Sequence, residues 1–268
     1  AGGGNILSHS FNELYDRKVL RLLLNDNETC HEESVKRLHR SLIVEIPAVS
    51  SIIGAYVSTE AIKLITSKFE PLNQWFVYSD YTLVPEHIKD DNLINGTMCS
   101  GLSKLFGTNF IDYINKSSLL MVGCGAIGCE MLKNLSQLGF STKESSELII
   151  TDPDHIETSN LSRQFLFRNE HVKQSKTKVA SEEIVKYKNI NIKALDQKMG
   201  SENQLLLDDI LMNKNIIGVV NALDNVSARM YMDDQCFNYL KPLFESGTQG
   251  MKGNTQPVIP FLTETYGN

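Results

Sequence analysis

The sequence contains no Cys-x-x-Cys pair, although five cysteines occur among its 268 residues, at positions 30, 99, 124, 129 and 236. A zinc ribbon or a disulfide framework needs closely spaced cysteines, so neither is indicated. Basic residues are not in excess either, since 26 stand against 32 acidic ones for a net charge of -6. This composition indicates neither a nucleic-acid-binding arm nor a basic face for a membrane surface.

Long apolar runs are also lacking. The longest apolar stretches have the length of strands, so the sequence predicts no membrane-spanning helix. The six histidines show no metal-ligand spacing. These features favour a reduced intracellular setting, and the length suits one large domain or two ordinary ones.

The N-terminal third has mixed secondary-structure signals. Apolar spacing predicts helices over 10–24 and 31–43, and Pro47 suits the first turn of a helix that continues to about Ser67. Small residues along that helix favour close packing against another element. Gln74–Tyr78 has the composition of a strand. Residues 89–101 are rich in Asp, Asn and Gly, which predicts a linker.

From Ser118 onwards, short strands alternate with helices of ordinary length, a pattern typical of a doubly wound, Rossmann-like parallel α/β sheet. The predicted strands are 118–122, 147–151, 191–196, 216–220 and 242–246. The predicted helices are 127–138, 175–188, 202–213 and 226–239. Gln256–Phe261 is consistent with an edge strand, where proline is tolerated.

A glycine motif follows the first predicted strand of this region. Gly123, Gly125 and Gly128 form a Gly-x-Gly-x-x-Gly turn, and Ala126 and Ile127 begin the helix after it. Such glycines permit the turn, the approach of the backbone to a phosphate and close packing of the helix. The helix start offers free N–H groups and a positive dipole end to an anion. Strand, turn and helix together predict a nucleotide site.

Polar residues downstream extend this site. Asp152 ends the second strand, where a carboxylate binds the ribose hydroxyls in dinucleotide enzymes, and for Asp154 a turn role and a ligand role remain open. A triphosphate needs further cations and a metal. The candidates for the phosphates are Asn160, Arg163, Gln164 and Lys176. Asp224 follows a strand at the ligand edge of the sheet, which makes it a candidate Mg²⁺ ligand.

The chain resembles the active adenylation half of the ubiquitin-activating enzymes, within the ubiquitin-like modifier-activating family. The resemblance covers 118–265 almost continuously. It is carried by Val122–Glu130, Thr151–Asp154, Ser159–Arg168, Asn221–Val226, Ala228–Asp233, Pro242–Thr248 and Val258–Glu264. Upstream, Ile53–Ala61 and Phe69–Trp75 resemble the end of the family's inactive, pseudo-symmetric half.

The resemblance implies that ATP and Mg²⁺ are bound, and that the C-terminal carboxylate of ubiquitin attacks the α-phosphate to give an acyl adenylate and pyrophosphate. Asp152 would bind the ribose. Arg163, Lys176 and Asp224 would be the catalytic residues, with Asp224 on the metal. Residues 1–90 would then be the end of the inactive half, 91–117 a linker and 118–268 the active half.

The resemblance also implies what lies elsewhere. The thioester cysteine and the domain that recruits the conjugating enzyme would lie beyond residue 268, and part of the cation set would come from the missing start of the inactive half. We therefore expect the chain to be a fragment with little activity alone, from a protein of the cytoplasm and nucleus. The alternatives are an activating enzyme for another ubiquitin-like modifier, a nicotinamide-dependent dehydrogenase and a non-catalytic scaffold.

Overall fold

The computed structural model describes residue 44, residues 46–78, residue 85, residues 100–250 and residues 252–267. The chain divides into two compact units, with the boundary between Asn109 and Phe110. The predicted helices at 10–24 and 31–43, and most of the predicted linker, lie outside the described residues.

The first unit contains the helix α1, Pro47–Thr66, which begins and ends as predicted within one residue. Pro47 occupies its first turn, and Ser67 ends it in the left-handed conformation. None of the helix residues, all of them described, is buried. The predicted strand at Gln74–Tyr78 is wrong, because Gln74 has a φ of 97° and the segment pairs with no described strand. Trp75 is 93% exposed there, and Phe76 stacks on Tyr56 of α1 with ring centroids 4.0 Å apart, so the aromatic residues of the segment take no part in strand pairing.

Helix α1 bears on the expectation that no segment is long and apolar enough to span a membrane. By length and composition it is the one helix in the described ranges that is apolar enough to cross a membrane. The sequence contains no long uninterrupted apolar run here, but aliphatic residues recur between the small polar ones, and charged residues are few. Length and apolarity alone do not establish a membrane span, because core helices of soluble proteins have the same properties.

Two helices follow where the sequence predicts a linker. They are α2, Ser100–Phe106, and α3, Thr108–Lys116, separated by Gly107 at a φ of 84°. The second unit begins within α3, whose Ile111 and Ile114 are buried. The composition-based linker prediction missed this amphipathic spacing.

The second unit is built on a six-stranded sheet with the order β3-β2-β1-β4-β5-β6. Its strands are β1 Ser118–Val122, β2 Leu148–Thr151, β3 Ile192–Leu195, β4 Ile216–Asn221, β5 Leu243–Gln249 and β6 Lys252–Val258. The first five are parallel, and β6 pairs antiparallel with β5 at the edge of the sheet, with Pro257 within it. All six strands were predicted, with boundaries that differ by a few residues.

Helices cover both faces of the sheet. They are α4 Ala126–Leu138, α5 Lys176–Val185, α6 Gln204–Met212 and α7 Val226–Asn238. One core contains α4 and α5 side chains packed on Met121 and Ile150. The other contains α6 and α7 side chains packed on Leu120 and Ile149. Because side chains alternate along a strand, β1 and β2 supply both cores, and this is the predicted doubly wound architecture.

Candidate nucleotide site

A pocket of about 1130 Å³ lies at the carboxyl edge of the sheet. The strand order reverses between β1 and β4, and ligands of open α/β sheets bind at such a switch point. Every residue that the sequence analysis assigned to the nucleotide lines this pocket, apart from Gly128. The predicted residues are therefore brought together, although their binding roles stay predictions.

The glycine turn after β1 is shaped by backbone contacts. Gly123 has a φ of 100°, and a Cβ added to it would lie 2.5 Å from the Ala222 carbonyl oxygen. A Cβ added to Gly128 would overlap the carbonyl oxygen of Gly123, so the helix packs on the turn. At Gly125 an added Cβ would meet only Gln164 Nε2, at 3.8 Å. The bare backbone of Gly125 thus faces the open pocket, as close approach to a phosphate requires.

Asp152 lies at the end of β2 and is 8% exposed. Its Oδ2 accepts from the Cys124 N–H at 2.7 Å, and its Oδ1 accepts from the Asp154 N–H at 2.9 Å. Burial raises the pKa of this carboxyl, although the two N–H donors and the charge of Lys176 act in the opposite direction. Each carboxylate oxygen can accept a further hydrogen bond, so the group remains able to bind a hydroxyl.

Lys176 is a nearly buried cation, 7% exposed, at the first position of α5. Its Nζ contacts Asp154 Oδ2 at 2.7 Å, while the Asp154 side chain is 64% exposed. The structure therefore assigns Asp154 both a turn contact and an ion pair with Lys176. A buried ammonium that has one exposed partner retains donors for an anion in the pocket.

The remaining phosphate candidates lie on and after the 3₁₀ helix Thr158–Ser162. Asn160 is buried, and its Oδ1 accepts from the Glu157 N–H at 3.0 Å. Arg163 is exposed, with Nη1 donating to the Ser159 carbonyl at 3.0 Å. Gln164 is 3% exposed, and its Oε1 has no hydrogen-bond partner among the described residues. An unpaired buried amide oxygen beside a pocket is consistent with a ligand that donates to it.

Asp224 lies on the loop between β4 and α7, with its carboxylate exposed at the pocket wall. Within the described ranges there is no group of three or more His, Cys, Asp or Glu side chains that could hold a metal. A single carboxylate, that of Asp224, fits Mg²⁺, which binds through one or two carboxylates together with phosphate oxygens and waters. It does not fit a structural zinc site, which needs about four protein ligands.

Sequence reasoning missed a buried polar group behind Asp224, formed by Asn221, Arg229 and Glu245. Glu245 is 3% exposed within β5, directly after the apolar residues Leu243 and Phe244. A carboxylate at a buried strand position requires a polar partner, and this was the available signal.

The described cysteines are packing residues, as expected. Cys124, Cys129 and Cys236 are each at most 1% exposed. Burial raises the pKa of Cys129 and of Cys236 to about 12, and raises that of Cys124 as well. Thiols of this kind are poor nucleophiles at neutral pH. Cys30 and Cys99 lie outside the described residues.

The sheet, the glycine turn at its switch point and the polar pocket define an α/β protein of the Rossmann-like class. The family model described as "ThiF family" matches residues 100–268, and the chain belongs to this family. The match begins within the predicted linker, at the start of α2.

Curated relatives carry the same resemblance. Human "Ubiquitin-like modifier-activating enzyme 1" is 38% identical over 242 residues, which are 88% of this chain and 23% of the relative. Schizosaccharomyces pombe "Ubiquitin-activating enzyme E1 1" is 40% identical over 258 residues, 94% of this chain and 25% of the relative. Arabidopsis thaliana "Ubiquitin-activating enzyme E1 1" is 42% identical over 222 residues, which are 82% of this chain and 20% of the relative. The chain thus spans about a quarter of the length of these relatives.

Among solved structures, that of E. coli MccB with MccA-N7isoASN aligns with a TM-score of 0.55 and 22% identity. The alignment covers 64% of this chain and 50% of MccB. At this identity the likeness shows the fold alone.

Proposed function

We propose that this chain binds ATP with Mg²⁺ and contributes the site at which the C-terminal carboxylate of ubiquitin, or of a ubiquitin-like protein, is adenylated. The observation that carries the proposal is the convergence of the bare Gly125 backbone, the buried Lys176 ammonium and the Asp224 carboxylate on one pocket. The names of the relatives support the choice of ubiquitin as the carboxylate donor.

Each residue has a chemical role in this proposal. The glycine turn and the start of α4 bind phosphate oxygens through N–H groups. Lys176, Arg163, Asn160 and Gln164 supply donors to the phosphates, and Asp152 orients the ribose. Mg²⁺, bound by Asp224, would neutralise charge on the phosphates.

The reaction forms one bond and breaks one. A carboxylate oxygen of the modifier attacks the α-phosphorus, and the bond from that phosphorus to the bridging oxygen of pyrophosphate breaks. In this proposal Lys176 and Arg163 bind charge that develops on the phosphates, and such preorganised cations favour the transition state. The same proposal includes three further expectations. Residues 118–268 form the active half, a conjugating enzyme is recruited through other parts of the protein, and the protein is located in the cytoplasm and nucleus.

Calorimetric titration of the chain with ATP, with and without Mg²⁺, tests the proposal. Asp224→Asn should abolish the enhancement of ATP binding by Mg²⁺ and leave metal-free binding in place, because only the metal ligand is lost. The matched control is Asp209→Asn, an acidic residue of α6 outside the pocket lining. An unchanged Mg²⁺ dependence in Asp224→Asn would contradict the metal assignment. Binding of NADH as tight as that of Mg²⁺-ATP would instead favour the dehydrogenase.

Adenylation itself is tested by ubiquitin-dependent exchange of pyrophosphate into ATP. Ubiquitin whose C-terminal carboxylate is amidated is the control, since it lacks the nucleophile. We expect low exchange from the chain alone, and more when the N-terminal half of a full-length relative is added. Exchange that is equally fast with amidated ubiquitin would contradict the carboxylate as acceptor.

A further inference from the structure

A largely buried polar group lies beside the pocket, where Asn221 at the end of β4 pairs with Glu245 of β5 and Arg229 of α7 lines the pocket. Asn221 is fully buried, and its amide donates to Glu245 Oε2 at 2.7 Å. Glu245 Oε1 lies 3.4 Å from Arg229 Nε and forms an ion pair with it. The pair has no hydrogen bond, because the Arg229 Nε–H donates to the Leu223 carbonyl instead. Burial raises the pKa of Glu245, while the amide and the guanidinium lower it. Burying a carboxylate is costly, and the amide and the guanidinium offset part of that cost.

The guanidinium of Arg229 is directed at one backbone oxygen. Its Nε donates to the Leu223 carbonyl at 2.9 Å, and its Nη2 donates to the same oxygen. A Cβ added to Gly247 would overlap the guanidinium, which therefore lies directly on the glycine backbone. Glu245 and Gly247 thus fix the Arg229 side chain from β5, and Arg229 fixes the Leu223 carbonyl.

Asp224 lies between the Leu223 carbonyl, which Arg229 holds, and Asn225, which caps α7. Asn225 caps α7, since its Oδ1 accepts from the Ser227 N–H at 2.9 Å and the Ala228 N–H at 3.3 Å. On the other side, the Ala222 N–H donates to the Val122 carbonyl at 2.8 Å. The exposed Asp224 side chain therefore projects from a loop whose backbone is held before and after it.

We propose that Glu245 is a positioning residue for the metal site: by holding Arg229 against the Leu223 carbonyl, it fixes the backbone from which Asp224 reaches Mg²⁺. The inference rests on the proposed function, because it requires Asp224 to bind the metal. Partners that orient a metal ligand change metal affinity by about 10–100-fold when they are lost. Glu245 does not touch the nucleotide in this scheme, so metal-free ATP binding should not depend on it.

Glu245→Gln tests the role. The substitution keeps the size of the side chain, removes its charge and turns an amide towards the guanidinium. ATP affinity is measured calorimetrically in EDTA and over a series of Mg²⁺ concentrations. We expect about 10-fold more Mg²⁺ to be needed for half of the enhancement, with metal-free affinity unchanged. Glu144→Gln is the matched control, because Glu144 is exposed before β2, at the opposite edge of the sheet.

A further measurement separates positioning from general stabilisation. Hydrogen exchange of the segment 222–225 in the ligand-free chain should become faster in Glu245→Gln, while exchange in β1 is unchanged. Equal exchange of the segment 222–225 in the wild-type and Glu245→Gln chains would overturn the proposal.

Arg229→Lys gives an independent variant if Glu245→Gln does not fold. Lysine keeps the charge, but it lacks the fork that donates twice to one oxygen, so the same loss of Mg²⁺ enhancement is expected. Wild-type Mg²⁺ dependence in a folded Glu245→Gln or Arg229→Lys chain would overturn the positioning role. Failure of the wild-type chain to show any Mg²⁺ enhancement would instead contradict the proposed function, and the two results are read from separate titrations.

Discussion

The two sides of the pocket are built by different physical means. On the β1 side, the turn Gly123–Gly128 is shaped by the absence of side chains, because an added Cβ at either end of it would meet a backbone carbonyl. On the β4 side, the loop Ala222–Asn225 is shaped by buried charges, with Arg229 and Glu245 behind it. Sterics govern the first side, and electrostatics governs the second.

This difference has a functional consequence. A steric requirement is nearly all-or-none, since a Cβ either fits or displaces the backbone. An ion-paired network is graded, because its strength varies with charge, distance and donor geometry. We therefore expect substitutions on the glycine side to abolish the site, and substitutions on the β4 side to adjust its metal dependence.

Gly123→Ala should have the largest effect. It places a Cβ 2.5 Å from the Ala222 carbonyl oxygen at a φ of 100°. Backbone strain of this kind costs about 1–3 kcal/mol, and the overlap adds to it, so we expect the free energy of unfolding to fall by about 2–4 kcal/mol. Urea denaturation followed by circular dichroism measures the change.

The matched control is Gly54→Ala in α1, where an added Cβ meets nothing within 4 Å. There, alanine should be neutral or stabilising by about 0.5–1 kcal/mol, because glycine is a poor helix former. A Gly123→Ala chain as stable as Gly54→Ala would show that the turn is not set by sterics.

Each of the two cores beside the sheet contains a buried thiol, Cys124 in one and Cys236 in the other, and alkylation compares how readily each core opens. Cys124 lies in the glycine turn and Cys236 in α7. A pKa of about 12 for Cys236 leaves on the order of 1000-fold less thiolate at pH 8 than in an ordinary cysteine. We therefore expect iodoacetamide to label both thiols slowly, and Cys236 faster than Cys124 after Glu245→Gln.

Peptide mass mapping after alkylation in buffer and in urea measures both rates. Neither thiol should form a thioester with ubiquitin and ATP, for the same reason. A ubiquitin adduct that is reversed by reductant and lost on Cys124→Ala or Cys236→Ala would contradict this expectation.

Lys176→Met should weaken ATP binding by about 10–100-fold, the usual effect of losing a hydrogen bond from a charged group. The loss should appear with and without Mg²⁺, because Lys176 lies on the phosphate side rather than at Asp224. Calorimetry with Lys178→Met as control tests this, since Lys178 is exposed on the same helix. A loss confined to Mg²⁺-ATP would show that Lys176 acts on the metal, as the β4 loop is expected to do, and would contradict separate roles for the two sides of the pocket.

The sequence predicted the features that depend on local periodicity and on glycine. The central strands β1, β2 and β4 each place a run of apolar residues in the sheet, and the turn at Gly123 has a sterically required sequence. The site residues could be grouped because polar residues at the ends of parallel strands meet at one edge of the sheet.

Features that depend on distant partners could not be predicted. Asn221 bonds to Glu245, which is 24 residues further along the chain, and no local pattern specifies that pairing. The strand predicted at Gln74–Tyr78 failed for a related reason, because a strand requires a neighbour and apolar composition does not supply one. Helix α3 was missed because polar residues dilute its composition, while Ile111 and Ile114 alone carry the buried face.

The smallest predicted effect separates the two sides through their helix caps. Asn225 caps α7 beside Asp224, and Ser175 caps α5 beside Lys176, where its Oγ accepts from the Lys178 N–H at 3.2 Å. Replacing either cap by alanine should cost about 1 kcal/mol of folding free energy. Only Asn225→Ala should raise the Mg²⁺ concentration needed for ATP binding, by about 3–5-fold, because it releases one of the two anchors of Asp224. Ser175→Ala, of similar cost to stability, should leave the Mg²⁺ dependence unchanged. Equal shifts in both variants would mean that metal affinity follows overall stability, and the separate roles of the two sides would then be wrong.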